Sequence, residues 1–388
     1  MKRSSRLPQD AAPNALSAAL EEARALGRPI LDLTRSNPTT CGFAYPEGAI
    51  RAALGSPDVL AHAPGPRGSR SARQAIAAHL GHGLRAEDLL LTASTSEAYA
   101  FLFKMVADPG DEILVPSPSY PLFEWLARME GLQAIPVPAW WRDRWSLDEA
   151  ALEAACGPRA RALCIVNPNN PTGQYLSRDE WRMLTAFCAR NQLALICDEV
   201  FADFPLEPGA QDLGSALEDG APPCPVFVLS GLSKTALLPQ VKLGWIVVRG
   251  PGATQALEDL EFISDHYLSV SASAQAAAPD LLRLAPTLRA QALVRAQTNL
   301  AALDAWLQTH PACSRLPVGG GWSVLLRRPA VETDDAFAIR LLEREGVLVH
   351  PGHFFDLPLE GFVVLSLLTP EAEFEDGLTG LSRALANG

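Results

Sequence analysis

With 388 residues, 48% of them hydrophobic and 20% charged, the chain is long and apolar enough for a large globular core with a smaller companion, which excludes a disordered or fibrous protein. The formal net charge of -12 and a sequence pI near 5.1 exclude the basic footprint of a nucleic-acid binder, and no basic run offers a local exception. Seven scattered cysteines without CxxC spacing argue for reduced thiols over disulfides or zinc; no signal-peptide core follows Met1-Lys2-Arg3 and no apolar run reaches membrane-spanning length, so a cytoplasmic protein is expected.

Ala15 to Leu26 is rich in Ala, Leu and Glu and is stopped by Gly27 and Pro29, which predicts a helix. Ile30-Leu31-Asp32-Leu33 reads as a short strand, followed by the turn Arg35-Ser36-Asn37-Pro38. The Pro/Gly-dense segment from His62 to Gly68 is a shaped loop, and Ala72, Ala75, Ile76 and Leu80 then mark an amphipathic helix. Leu89-Leu90-Leu91 is a strand, and Thr92 to Glu97 leads into an apolar helix from Ala98 to Val106. The hydroxyls of Ser94, Thr95 and Ser96 at that helix start have two readings: ordinary caps, or an anion site completed by free backbone N–H groups.

Further strands are expected at Ile113 to Val115, Ala162 to Val166, Leu193 to Cys197, Val226 to Leu229 and Leu243 to Val248, with a helix from Arg178 to Arg190. Polar loops lie at Ser117 to Pro121 and Asn167 to Gly173. Continuous apolar strands separated by helices imply an α/β fold whose mainly parallel sheet is covered on both faces. After about residue 250 come long Ala/Leu-rich helical sequence through Leu307, the turn Gly319-Gly320-Gly321-Trp322, a strand at Ser323 to Leu326, and a last alternation of helix and strand. This texture suits a second, smaller α/β domain.

Several of the strands end in polar clusters, and strand ends are where open α/β sheets hold ligands. Between two apolar runs, Lys234 is flanked by Ser233 and Thr235, with Lys242 eight positions on. Such a lysine suits a Schiff base with a phosphorylated aldehyde, the hydroxyls and second cation holding the phosphate; a solvated loop is the plain alternative. Asp198 directly follows an apolar strand, where a carboxylate needs a cation such as a pyridinium nitrogen, or else caps a helix or joins a salt bridge. Asn170 suits a turn as well as a site, and Tyr120 suits simple packing as well as stacking.

Taken in order from about Leu31 to Leu381, these motifs resemble the fold type I pyridoxal-phosphate enzymes, in particular the class I/II aminotransferases related to aspartate and alanine aminotransferases. The resemblance implies a three-layer α/β/α large domain over residues 46–280, a smaller C-terminal α/β domain over 281–388 and an N-terminal arm over 1–45 that joins the latter. It implies pyridoxal 5'-phosphate as cofactor, transfer of an amino group between an amino acid and a 2-oxo acid, and a homodimer with a shared active site. Lys234 is then the Schiff-base lysine and proton shuttle, and Asp198 the partner of the pyridine nitrogen. Asn170, in Asn-Asn-Pro-Thr-Gly, contacts the phenolic oxygen and the substrate carboxylate; Tyr120 stacks on the ring; Ser94, Thr95, Ser96, Ser230 and Lys242 line the phosphate.

Four positions depart from the family's pattern. Lys242 stands where an arginine is usual, which keeps the charge and loses the bidentate fork. Phe201 replaces a tyrosine that donates to the phenolic oxygen, and His62 replaces a tyrosine that reaches the partner subunit's phosphate. Val364, in Val363-Val364-Leu365-Ser366, occupies the place of an arginine that clamps the α-carboxylate. Arg35 is the candidate substitute for substrate binding, its alternative being an exposed arginine. Phe201 and Val364 also keep open a decarboxylase, a lyase, a β- or γ-replacement enzyme or a racemase of specialised biosynthesis. Trp322, Phe354 and Phe355 suit an apolar substrate pocket or the small-domain core.

Overall fold

A strand that is apolar along its length is stable only where both faces are covered, and six largely buried segments pair with one more exposed edge strand into a single sheet. In the computed structural model, which describes residues 3–8, 13–60, 64–142, 144–207, 209 and 212–386, these are β1 (Leu89–Thr92), β2 (Glu112–Ser117), β3 (Gln133–Pro138), β4 (Ala160–Val166), β5 (Ala194–Asp198), β6 (Val226–Gly231) and β7 (Gly244–Arg249). Their spatial order is β1-β7-β6-β5-β4-β2-β3, and all run parallel except β7, which is antiparallel to β1 and β6. The strand β3 and the helix Leu122–Met129 arise from a stretch in which the sequence suggested neither. Pro136 and Pro138 lie in β3, and proline is tolerated there because β3 is an edge strand whose outer N–H positions need no partner.

The main helices are α1 (Ala15–Ala25), α2 (Arg70–Leu80), α3 (Thr95–Val106), α4 (Leu122–Met129), α5 (Arg178–Arg190), α6 (Ala253–Asp265), α7 (Ala272–Leu307), α8 (Asp334–Glu345) and α9 (Glu371–Ala386). Alternate strand residues feed separate cores on the two faces of the sheet. Leu163, Ile165, Leu195 and Val228 pack with Ile76 of α2, Leu184 of α5 and Leu281 of α7. Ala162, Cys164, Ile196 and Phe227 pack with Phe101 of α3, Phe123 of α4 and Leu260 of α6.

The 36 residues of α7 extend for about 54 Å and carry the chain from the first core to a second, where Leu300 and Leu303 are buried. There, β8 (Ser314–Arg315), β9 (Ser323–Arg327), β10 (His350–Pro351) and β11 (Phe362–Ser366) form an antiparallel sheet in the order β8-β9-β11-β10. Period-two alternation again separates the faces: Val363 and Leu365 pack with Phe337 of α8 and Phe374 of α9, while Val364 joins Leu325, Phe355 and Phe362 on the other side. Leu31–Asp32 pairs in parallel with Val347–Leu348, so the N-terminal segment is tied to this second unit.

The C-terminal ends of the parallel strands and the start of β7 share one edge of the large sheet. The free face of the smaller sheet lies over that edge, and the space between is the cavity described next.

Candidate active site

A cavity of about 330 Å³ is lined by Ser94, Thr95, Ser96, Tyr120, Asn170, Asp198, Phe201 and Lys234, so one short edge gathers residues separated by up to 140 positions in the chain. Each comes from a strand end. Ser94 follows β1 and caps α3, its Oγ accepting from the Glu97 N–H at 3.1 Å. Thr95 and Ser96 form the first turn, where a helix cannot pair its own N–H groups. Gly244 of β7 makes room for this loop: a Cβ there would lie 3.0 Å from both the Ser94 carbonyl carbon and Thr92 Oγ1, and 3.2 Å from the Thr95 nitrogen. The cap reading holds for Ser94, and the turn it caps faces the cavity.

Asp198 ends β5 and is buried. Its Oδ1 accepts from the Val200 N–H at 3.0 Å, and its Oδ2 accepts from the Tyr99 hydroxyl at 3.1 Å. Burial pushes its pKa up to about 6, against the lowering effect of those two donors and of the Lys234 charge. Lys234, just after β6, has the opposite problem. Burial pushes its pKa down to about 8, while the nearby Asp198 charge pulls it back up. Its Nζ lies 4.6 Å from the centre of the Trp322 ring and 5.5 Å from that of Phe201, and no hydrogen-bond acceptor meets it among the described residues. A basic amine without an acceptor and a carboxylate accepting two neutral donors are both short of a partner.

Tyr120 is 45% exposed at the mouth of the cavity, a large aromatic face left uncovered by the chain. Phe201 is buried edge-on against Trp322, ring centres 5.3 Å apart, and brings no hydroxyl to the cavity. Trp322 is itself buried with its indole Nε1 lacking a partner. Val364 and Phe355 line the cavity from the smaller sheet, whereas Phe354 packs beside it against both apolar clusters.

Three expected residues are placed otherwise. Ser230 is buried beside Thr235, their hydroxyls 3.4 Å apart, behind the cavity lining. Lys242 is exposed, in a left-handed conformation with φ 61°, on the loop that enters β7. Arg35 turns to Glu373, with an ion pair of 2.8 Å, and does not line the cavity, although its neighbours Thr34 and Ser36 do. His62 lies outside the described residues.

Tyr99 was not legible as a site residue. It sits on an apolar helix face and reads as core, and the signal is only that a buried phenol needs a partner for its O–H. That partner, Asp198, lies 99 positions away.

A lysine amine and a carboxylate short of partners, beside a hydroxyl-rich helix start at the carboxyl edge of a mainly parallel sheet, define a fold type I enzyme. The chain belongs to the class I and II aminotransferases, enzymes that transfer amino groups: it matches that family over residues 28–379. Among curated proteins it is 30% identical to the arginine–pyruvate transaminase of Pseudomonas aeruginosa, over 88% of this chain and 86% of that one. It is 27% identical to nicotianamine aminotransferase A of Hordeum vulgare, over 94% of this chain and 81% of that one. Among solved structures, the alanine aminotransferase of Pyrococcus furiosus superposes with a TM-score of 0.86 at 22% identity, covering 100% of both chains. A double mutant of Thermus thermophilus aspartate aminotransferase gives 0.83 at 24% identity, covering 99% of this chain and 100% of that one. These two likenesses concern the fold alone.

Proposed function

We propose that this aminotransferase moves an amino group between an amino acid and a 2-oxo acid with pyridoxal 5'-phosphate held in the cavity. The observation that carries the reading is Lys234, a buried amine with pKa about 8 and no acceptor, set in one cavity with the buried Asp198. The donor set fits the cofactor. When bound, its ring supplies an electron sink for charge developing at the substrate's Cα.

The chain's own residues do the rest. Thr95 and Ser96, with the Ser94 cap, present N–H and hydroxyl donors to a phosphate, and the helix dipole favours that charge. Ser230 and Lys242 complete that subsite in the resemblance on which their roles rest. Asp198 would hold a proton on the ring nitrogen of the bound cofactor, and that cation would relieve the cost of burying the carboxylate. Tyr99 keeps that carboxylate oriented. Tyr120 covers a ring face, and Asn170 offers an amide to the phenolic oxygen and to substrate. Lys234, as a free amine, would take a proton from the substrate's Cα and deliver it to the carbon on the far side of the substrate nitrogen, two atoms along. Phe201 and Trp322 exclude water from that amine.

The active unit in this reading is a homodimer, with His62 serving the neighbouring site. The large unit over 46–280 holds the cofactor and the unit over 281–388, joined by the arm, closes on substrate.

The test is a half-reaction: cofactor-loaded protein is mixed with single amino acids in the absence of oxo acid, and products are identified by mass spectrometry. Pyridoxamine phosphate and the matching oxo acid are expected. Retained pyridoxal phosphate with release of an amine, an elimination product or the opposite enantiomer would replace transamination by one of the other reactions of this cofactor.

A further inference from the structure

The structure assigns the substrate's carboxylate to His350, a residue on the short strand β10 beside the cavity; the inference rests on the transamination reading above, since it presumes an amino acid and an oxo acid as substrates. An α-carboxylate entering an apolar cavity loses its hydration and needs a group that can carry positive charge or donate strongly. Among the described residues, two basic side chains line the cavity, Lys234 and His350. Lys234 is committed to the reacting carbon, and Arg35 is held by Glu373 outside the lining. Among the described residues that leaves the imidazole as the lining group able to take up a positive charge for the carboxylate, with the Asn170 amide as a neutral donor beside it.

Its position supports the assignment. His350 is the direct cross-strand partner of Val364, so the two side chains project from the same face of the sheet as close neighbours, and both line the cavity. Two of the hydroxyls nearby are already engaged as donors, Thr34 Oγ1 to Asp32 Oδ1 at 2.5 Å and Ser366 Oγ to the Arg35 carbonyl at 2.6 Å, and those of Ser36 and Ser323 can offer a carboxylate only a neutral donor. The imidazole has no hydrogen-bond partner among the described residues; it is held by ring contacts with Phe354 and Phe355, at 5.9 and 5.8 Å between centres. Burial lowers its pKa, with the Asp32 charge pulling the other way, so the ring enters the site as a neutral donor that an arriving anion favours in its protonated form. The surrounding Val364, Phe355 and Trp322 make the subsite one for a carboxylate attached to an apolar group.

The assignment is tested by calorimetric titration of the cofactor-loaded protein with 3-phenylpropionate and with its neutral counterpart 3-phenylpropanamide. The wild type should prefer the acid. His350→Leu should weaken the acid by about 10-fold to 100-fold, the loss expected for a charge-assisted hydrogen bond, and leave the amide within about twofold. His350→Lys should restore the preference. A wild type without preference for the acid, or a His350→Leu variant that keeps acid affinity or weakens both ligands equally, would overturn the assignment. The transamination reading is judged separately, by the oxo acid released from wild type: its failure with an intact acid preference would change the reaction and leave His350 as the carboxylate residue.

Discussion

Two places in this molecule bury opposite charges, and they are built in opposite ways. In the smaller unit, Arg328 and Asp334 meet at 2.6 Å with both side chains 1% exposed. Asp334 also accepts from the Gly361 and Phe362 N–H groups, while Arg328 donates to the Pro329 and Glu332 carbonyls and lies 4.3 Å over Phe337. At the cavity, among the described residues, Lys234 has two aromatic rings and no acceptor, and Asp198 has two neutral donors and no contact ion pair. The first pair is nearly saturated and its chemistry is finished. The second is left incomplete, and incompleteness is what allows a ligand to be the missing partner. A buried pair is therefore a poor sign of function until its hydrogen bonds are counted.

The contrast can be broken most directly at the lysine. Lys234→Met should lower the half-reaction rate by about 10³-fold or more, as expected for loss of both the nucleophile and the proton carrier, and abolish covalent capture of the cofactor. Its melting temperature without cofactor should fall less than that of the structural variant described next. Retention of the absorbance of the covalently held cofactor would show that another amine does this work.

Arg328→Met should do the reverse. Removing one partner of this buried pair, in which Arg328 Nε alone lacks an acceptor among the described residues, costs about 3–5 kcal/mol of stability, read by thermal or denaturant unfolding, while the folded fraction keeps its half-reaction product. Unchanged unfolding would mean that Asp334 is satisfied by its backbone donors alone.

A smaller effect is expected at Tyr99. Tyr99→Phe removes a donor to a buried carboxylate, which should reduce kcat by about 10-fold and move the acid limb of the pH profile to higher pH. The sign follows from the donor's action: the hydroxyl stabilises the ionised form of Asp198, so its loss raises the pKa. A rate loss with no movement of the acid limb would indicate a packing role.

The mildest test leaves the sequence intact. Capture of pyridoxal phosphate by the cofactor-free protein should accelerate as pH rises and level off above about 8, because burial places the Lys234 pKa there and only the free amine attacks. A rate still climbing toward pH 10 in stopped-flow absorbance would mean that Lys234 is solvated as an ordinary lysine.

Local pattern by itself determined most of the large sheet and missed its edge strand β3. The strands around Leu89–Leu91, Ala162–Val166 and Val226–Leu229 were legible because full apolarity over a short length has few other uses, and the helix Arg178–Arg190 matches its expected ends. The sequence also marked Lys234, Asp198, Asn170, Tyr120 and the Ser94–Ser96 turn as residues of interest, since each breaks an apolar run at a strand end. Only the tertiary structure decided which of them meet and how they are partnered. Ser230 and Arg35 look equally available in the chain, yet one turns to Thr235 and the other to Glu373, and such pairings join residues up to 338 positions apart. Tyr99 and His350 had no local mark at all. A phenol on a buried helix and an imidazole on a two-residue strand acquire their meaning from what the fold sets opposite them, Asp198 in one case and the cavity beside Val364 in the other. Periodicity reports which side of an element is dry, whereas hydrogen-bond partners and cavities depend on distances between elements that no local pattern encodes.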